Sequence, residues 1–140
     1  MRKPPLEYKN KTEIHLLQGI FKQYPGIAAV YLFGSATSSH THAESDLDLA
    51  IVPRTPFLPE LKIEILAELV RHGFENVDLV FLNTDDIVRK YEAVRQNQIV
   101  YQTDDFDRGH YYSLIVRQYL DFMPYLQVQR EAYKRRILDG

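Results

Sequence analysis

From Lys11 to Tyr24 the apolar residues Ile14, Leu17, Ile20 and Phe21 return every three or four positions, the period of one helix face, with Asn10 or Thr12 available to cap its start. Pro25-Gly26 closes that helix. Ile27-Ala28-Ala29-Val30-Tyr31-Leu32-Phe33 follows as an almost unbroken apolar run with branched and aromatic members, the composition of a buried strand. After a small, polar stretch from Ala36 to Glu44, residues 46–52 alternate. Asp46, Asp48 and Ala50 fall on one side of an extended chain and Leu47, Leu49 and Ile51 on the other. Pro53 to Pro59 is a proline-rich loop, after which Leu61, Ile65, Leu66, Leu69 and Val70 trace a second helix that Gly73 stops. Val77 to Leu82 predicts a third strand, Thr84 the cap of a helix running to about Gln96, and Ile99-Val100-Tyr101 a short edge strand. From about Asp105 to Leu138 the period is helical again, with Ile115, Tyr119, Phe122, Leu126, Tyr133 and Ile137 near one face and Pro124 predicted to kink it. The order predicts an α+β fold: a mixed β-sheet, flanking helices and a long C-terminal helical region.

Composition narrows this picture. The 140 residues suit one domain, 1–140, since a chain of that length buries roughly two-thirds of its unfolded surface. Hydrophobic residues at 45% and charged residues at 26% exclude a disordered or fibrous chain. The absence of cysteine removes disulfides, thiolate zinc sites and thiol nucleophiles, so any metal must take oxygen or imidazole ligands. Met1-Arg2-Lys3-Pro4-Pro5 has no apolar core behind its charges, and no uncharged apolar run is long enough to span a bilayer; a soluble, cytoplasmic protein is expected. A net charge of -2 weighs against broad attraction to nucleic acid, so affinity for polyphosphate has to be built locally.

The acidic strand carries the chemistry. Residues at i and i+2 of a strand share a side, so Asp46 and Asp48 present two carboxylates into one small volume. Left alone, they repel. Hard divalent cations relieve that repulsion, and magnesium commonly joins one or two carboxylates to substrate phosphate oxygens. Gly34 ends a buried strand where the lack of a side chain allows unusual torsions and close backbone approach, and Ser35 offers a hydroxyl and an amide to a phosphate. Asp78 lies inside another apolar strand, where burial of a carboxylate is costly without a partner, and a shared metal supplies one. Three carboxylates suit the two-metal arrangement of in-line phosphoryl chemistry.

Leu32-Phe33-Gly34-Ser35, ten residues, then Asp46-Leu47-Asp48-Leu49-Ala50, with Asp78 on a later strand, resembles the nucleotidyltransferase superfamily that includes DNA polymerase β. More closely, the short length and element order are similar to the minimal nucleotidyltransferases, the MntA-like MNT antitoxins of HEPN/MNT toxin-antitoxin modules. The resemblance covers about residues 10–105, with the C-terminal helical region of about 105–138 beyond it. It implies a magnesium-dependent enzyme, with two ions, that binds ATP and moves a nucleoside monophosphate to a hydroxyl, releasing pyrophosphate. For the MNT group it implies an antitoxin that adenylylates a tyrosine of a HEPN ribonuclease toxin and silences it in a heteromeric complex. By position, Gly34 and Ser35 would bind the phosphates and Asp46 and Asp48 would hold both metals. Asp78 would ligate the catalytic metal and help take the acceptor proton. Many relatives place an arginine or lysine soon after the Gly-Ser turn, whereas this chain has Ala36-Thr37-Ser38-Ser39-His40-Thr41-His42. Backbone amides of the turn, Ser38 or Ser39, and a distant Arg or Lys are the groups left to neutralise the terminal phosphate.

Other features have plainer accounts beside functional ones. His40 and His42 suit either a metal pair or a polar surface turn. Arg130, Lys134, Arg135 and Arg136 are a basic cluster, either an RNA contact or a solvated helix end. The apolar stripe of the last helical region covers the domain's own sheet or docks a partner protein. Among ten tyrosines, Tyr101, Tyr111 and Tyr112 are acceptor candidates for self-modification or simply half-buried filler. Two functions compete with AMP transfer: a catalytically silent antitoxin that acts by occlusion, and a nucleotidyltransferase acting on a small molecule or RNA.

Overall fold

In the computed structural model, which describes residues 11–34, 47–56 and 59–139, helix α1 (Lys11–Lys22) leads through a turn into strand β1 (Ile27–Phe33). Then come β2 (Leu47–Pro53), α2 (Pro59–Arg71), β3 (Val77–Phe81), α3 (Ile87–Val94), β4 (Gln98–Gln102) and the long α4 (Arg108–Asp139). The strands form one sheet in the order β3-β2-β1-β4, mixed as expected: β1 is antiparallel to both β2 and β4, and β2 is parallel to β3. A parallel pair needs a crossover, and α2 supplies it.

Both sheet faces are covered. Leu17, Ile20 and Phe21 of α1 and Ile65 and Leu69 of α2 pack with Val30, Leu32, Leu49, Ile51 and Leu79 on one face. Ala93 and Val94 of α3 and Ile115 of α4 pack with Ala29, Tyr31, Ala50 and Val52 on the other. β2 is therefore buried on both sides rather than half-solvated, and Asp48 stands on the α3/α4 face with Ala50 and Val52.

Several local signals resolve differently from expectation. The cap of α3 is Asp86, whose carboxylate accepts the Arg89 amide at 3.1 Å, while Thr84 accepts the Asp86 amide through its hydroxyl at 3.1 Å. Both are capping chemistries, and the residue nearer the first turn takes the cap. Thr12 falls inside α1, and Asn10 lies outside the described residues. Gly73 does stop α2. At φ +95° it takes the left-handed conformation that closes a helix, with the Phe74 amide bonded to the Leu69 carbonyl and the Gly73 amide to Val70. Val70 itself is exposed, just off the buried stripe.

α4 runs through Pro124 without interruption over 32 residues, about 48 Å at the helical rise. Its proximal half carries Ile115 into the core and stacks Tyr119 on Tyr91 of α3, ring centroids 3.9 Å apart. From Gln127 to Leu138 every residue is exposed, including Val128, Tyr133, Ile137 and the basic cluster Arg130, Lys134, Arg135 and Arg136. The apolar stripe is thus self-packed in its first half only. No helix among the described residues is long and apolar enough to cross a membrane.

Tyr31 is wholly buried, its ring 6.2 Å from that of Tyr111, and its hydroxyl has no hydrogen-bond partner among the described residues. Burial pushes its hydroxyl up to about 12 from 10.0, against a small opposing pull from Arg108. The folded state favours the neutral phenol, so this contribution is whole below pH 10 and is lost as pH rises toward 12, a range worth up to roughly 2–3 kcal/mol. Tyr31→Phe is expected to match or exceed wild-type stability at neutral pH, because it removes a buried hydroxyl without a partner, and to flatten the alkaline loss. Urea titrations at pH 7 and at pH 11 check both; a variant clearly less stable at pH 7 would show the hydroxyl to be satisfied.

Candidate active site

Backbone register determines where the acidic residues meet. Asp48 is the direct neighbour of Phe33 across the β1–β2 pair and of Asp78 across the parallel β2–β3 pair. Directly paired residues of adjacent strands point to the same side, so the Asp48 and Asp78 side chains stand next to each other on the α3/α4 face. Asp48 is the one charged side chain buried among the described residues, 7% exposed. Asp78 differs from the expectation: it is exposed, on the edge strand β3. The argument that its burial demands a metal therefore falls. Its register with a buried carboxylate replaces that argument.

Gly34 follows Phe33 at φ +89°, a conformation that side chains strain to adopt. A Cβ built there would lie 2.5 Å from Asp48 Oδ2 and 3.0 Å from Cγ. The turn after β1 thus seats its backbone directly on the Asp48 carboxylate, the close approach that the Gly-Ser signature anticipates. Ser35, Ser38, Ser39, His40, His42 and Asp46 lie outside the described residues. Among the site residues expected from sequence, the structure brings together Gly34, Asp48 and Asp78.

Next to Asp78 opens a cavity of about 340 Å³. Phe33, Asp78 and Val80 form its sheet side, and Asp86, Arg89 and Glu92 its α3 side. The helix is fixed there by the Asp86 cap, the buried Ala93 and Val94, and the Tyr91–Tyr119 stack. Beyond it, Asn97 adopts φ 54°, and Arg108 of α4 donates to its carbonyl at 2.6 Å, which locks the α3–β4 turn to the start of α4. A bigger cavity, about 920 Å³, lies at the opposite sheet edge between α1 and β4, with His15, Lys22 and Arg108 on its walls. Its lining includes Asp104 but neither Asp48 nor Asp78, so chemistry rather than size selects the smaller one.

Tyr101, Tyr111 and Tyr112 are all half-buried. Burial, and the nearby Tyr31, push the Tyr111 hydroxyl well above the ordinary tyrosine range. Arg89, which the sequence did not single out, lines the cavity beside Asp78. No signal in the sequence marks it, since only the fold brings α3 alongside Asp78.

The family model described as Polymerase beta, Nucleotidyltransferase matches residues 16–106. No curated protein sequence matches the chain. Solved structures share the fold. One, a toxin-antitoxin complex with AMP-PNP, is 22% identical over 89% of this chain and 98% of the other, with a TM-score of 0.66. An MntA-HepT toxin-antitoxin structure is 20% identical over 92% and 99%, TM-score 0.66. A third, tri-AMPylated Shewanella oneidensis HEPN toxin in complex with MNT antitoxin, is 21% identical over 89% and 95%, TM-score 0.64.

Gly34→Ala is expected to cost at least about 1 kcal/mol, from the positive φ alone, and to displace the Asp48 carboxylate. Denaturant titration reads the first effect. A variant of unchanged stability would show that the turn is free to move off Asp48.

Proposed function

The chain belongs to the polymerase beta nucleotidyltransferase family, and on that footing we propose that it is an MNT-type antitoxin that transfers AMP from ATP to a tyrosine hydroxyl of a HEPN ribonuclease toxin. The observation that carries the reading is the register of buried Asp48 with Asp78 beneath the Gly34 turn. Likeness of fold to solved toxin-antitoxin structures, one with AMP-PNP and one with a tri-AMPylated toxin, supports the choice of nucleotide and partner.

The residues present suit magnesium. Carboxylate oxygens are its preferred protein ligands, and the missing Cβ at Gly34 lets the turn after β1 close directly on the Asp48 carboxylate. Asp48 and Asp78, with Asp46, would hold the metal, which when bound offsets phosphate charge and acidifies the acceptor hydroxyl. Gly34 and Ser35, with Ser38 and Ser39, would present amides and hydroxyls to the phosphates. The phenol oxygen of the acceptor tyrosine bonds to the α-phosphorus, the bond from that phosphorus to the bridging oxygen breaks, and pyrophosphate leaves. The phenol proton passes to Asp78, whose exposure at the sheet edge suits a group that must reach a protein substrate. The open edge likewise suits a macromolecular acceptor, which completes a groove that a 140-residue chain does not close by itself.

The test supplies magnesium and ATP radiolabelled at either the α- or the γ-phosphate to the chain together with a HEPN toxin. Label is expected on the toxin from the α-phosphate only. Asp48→Asn and Asp78→Asn should each cut transfer by more than about a hundredfold, beyond the cost of losing an outer-shell partner. Label from the γ-phosphate alone, or none, would overturn the reading. Full neutralisation of the toxin by Asp48→Asn would favour occlusion instead.

A further inference from the structure

A site built from carboxylates binds a polyphosphate only if cations beyond the metal balance the charge, and the turn after Gly34 lacks the basic residue expected there. Arg89 is the one basic side chain, among the described residues, on the cavity that Asp78 shares. Its backbone is fixed, since its amide is the donor in the Asp86 cap of α3. Its guanidinium is not engaged: among the described residues it makes no ion pair or side-chain hydrogen bond. The nearby acids have other tasks. Asp86 accepts the helix amide, and Glu92 faces Arg95 at 3.7 Å. A fork of donors on a capped helix turn, lining the cavity beside Asp78, matches the chemistry of phosphate oxygens.

We propose that Arg89 is the polyphosphate-binding residue of this chain, contacting the β- and γ-phosphates of the incoming nucleoside triphosphate and replacing the cation missing after the Gly-Ser turn. This rests on the nucleotide-binding reading above. AMP, which lacks those phosphates, has no use for the contact. Arg89 thereby adds discrimination of the triphosphate over the monophosphate from α3, outside the Gly34 to Asp48 segment.

Calorimetric titration of the whole chain with magnesium and ATP, and separately with AMP, tests this alongside melting temperatures. Arg89→Gln is expected to weaken ATP binding by roughly 10- to 100-fold and to leave AMP binding within about twofold. Its melting temperature should match the wild type, because the side chain is exposed. Arg89→Lys, which keeps the charge and loses the fork, should fall between. Unchanged ATP affinity in Arg89→Gln would overturn the assignment while leaving the nucleotide site standing. Parallel loss of ATP and AMP would also overturn it, as the mark of a merely structural residue. Wild-type protein that binds no ATP would remove the nucleotide-binding reading itself, and Arg89 with it.

Discussion

Two carboxylates held in register on adjacent parallel strands set the terms for the rest of this molecule. Strands about 4.8 Å apart bring Asp48 and Asp78 side by side on one face, two like-charged groups in one small volume. Asp48 also sits beneath the Gly34 backbone, where solvent relieves it least. On the function proposed above, that pair is what a divalent cation and its phosphate ligand would meet.

The architecture turns this local tension into a usable site. A parallel β2–β3 pair, enforced by the α2 crossover, is what aligns the two aspartates on one face. Double coverage of the sheet buries β2, and Asp48 with it. The sheet edge at β3 then leaves Asp78 accessible, and α3, pinned by its cap and by the Tyr91 stack on α4, walls the cavity alongside. One partner of the pair is thereby buried and the other open to solvent, which under the proposed function suits Asp48 to anchor and Asp78 to meet the acceptor. α4 carries the same division at larger scale. Its first half is core, and its last turns hold apolar and basic side chains clear of the body.

Much of the fold was legible because its signals are local. The Ile27–Phe33 run, the alternation after Asp46 and the stop at Gly73 each depend on a few neighbouring residues, and each is found where the pattern put it. The α3 cap was misread by two residues because Thr84 and Asp86 offer the same chemistry and only geometry separates them. Asp78 was read as buried because its neighbours Val77, Leu79 and Val80 are apolar; strand order, a non-local property, leaves it exposed. Arg89 was invisible for the same reason. Nothing in the sequence says that α3 lies along the Asp78 edge, so an arginine eleven positions later carries no mark of the site until the chain is folded.

The central claim is that Asp48 and Asp78 jointly hold a divalent cation against the phosphates of a nucleotide. A crystal structure of the chain with magnesium and a non-hydrolysable ATP analogue tests it most directly. The account predicts at least one ion bound by both carboxylates, at about 2.1 Å from each ligating oxygen, with the phosphates lying between the Gly34 turn and α3. An analogue seated in the cavity between α1 and β4, or an ion that ignores either aspartate, would contradict it.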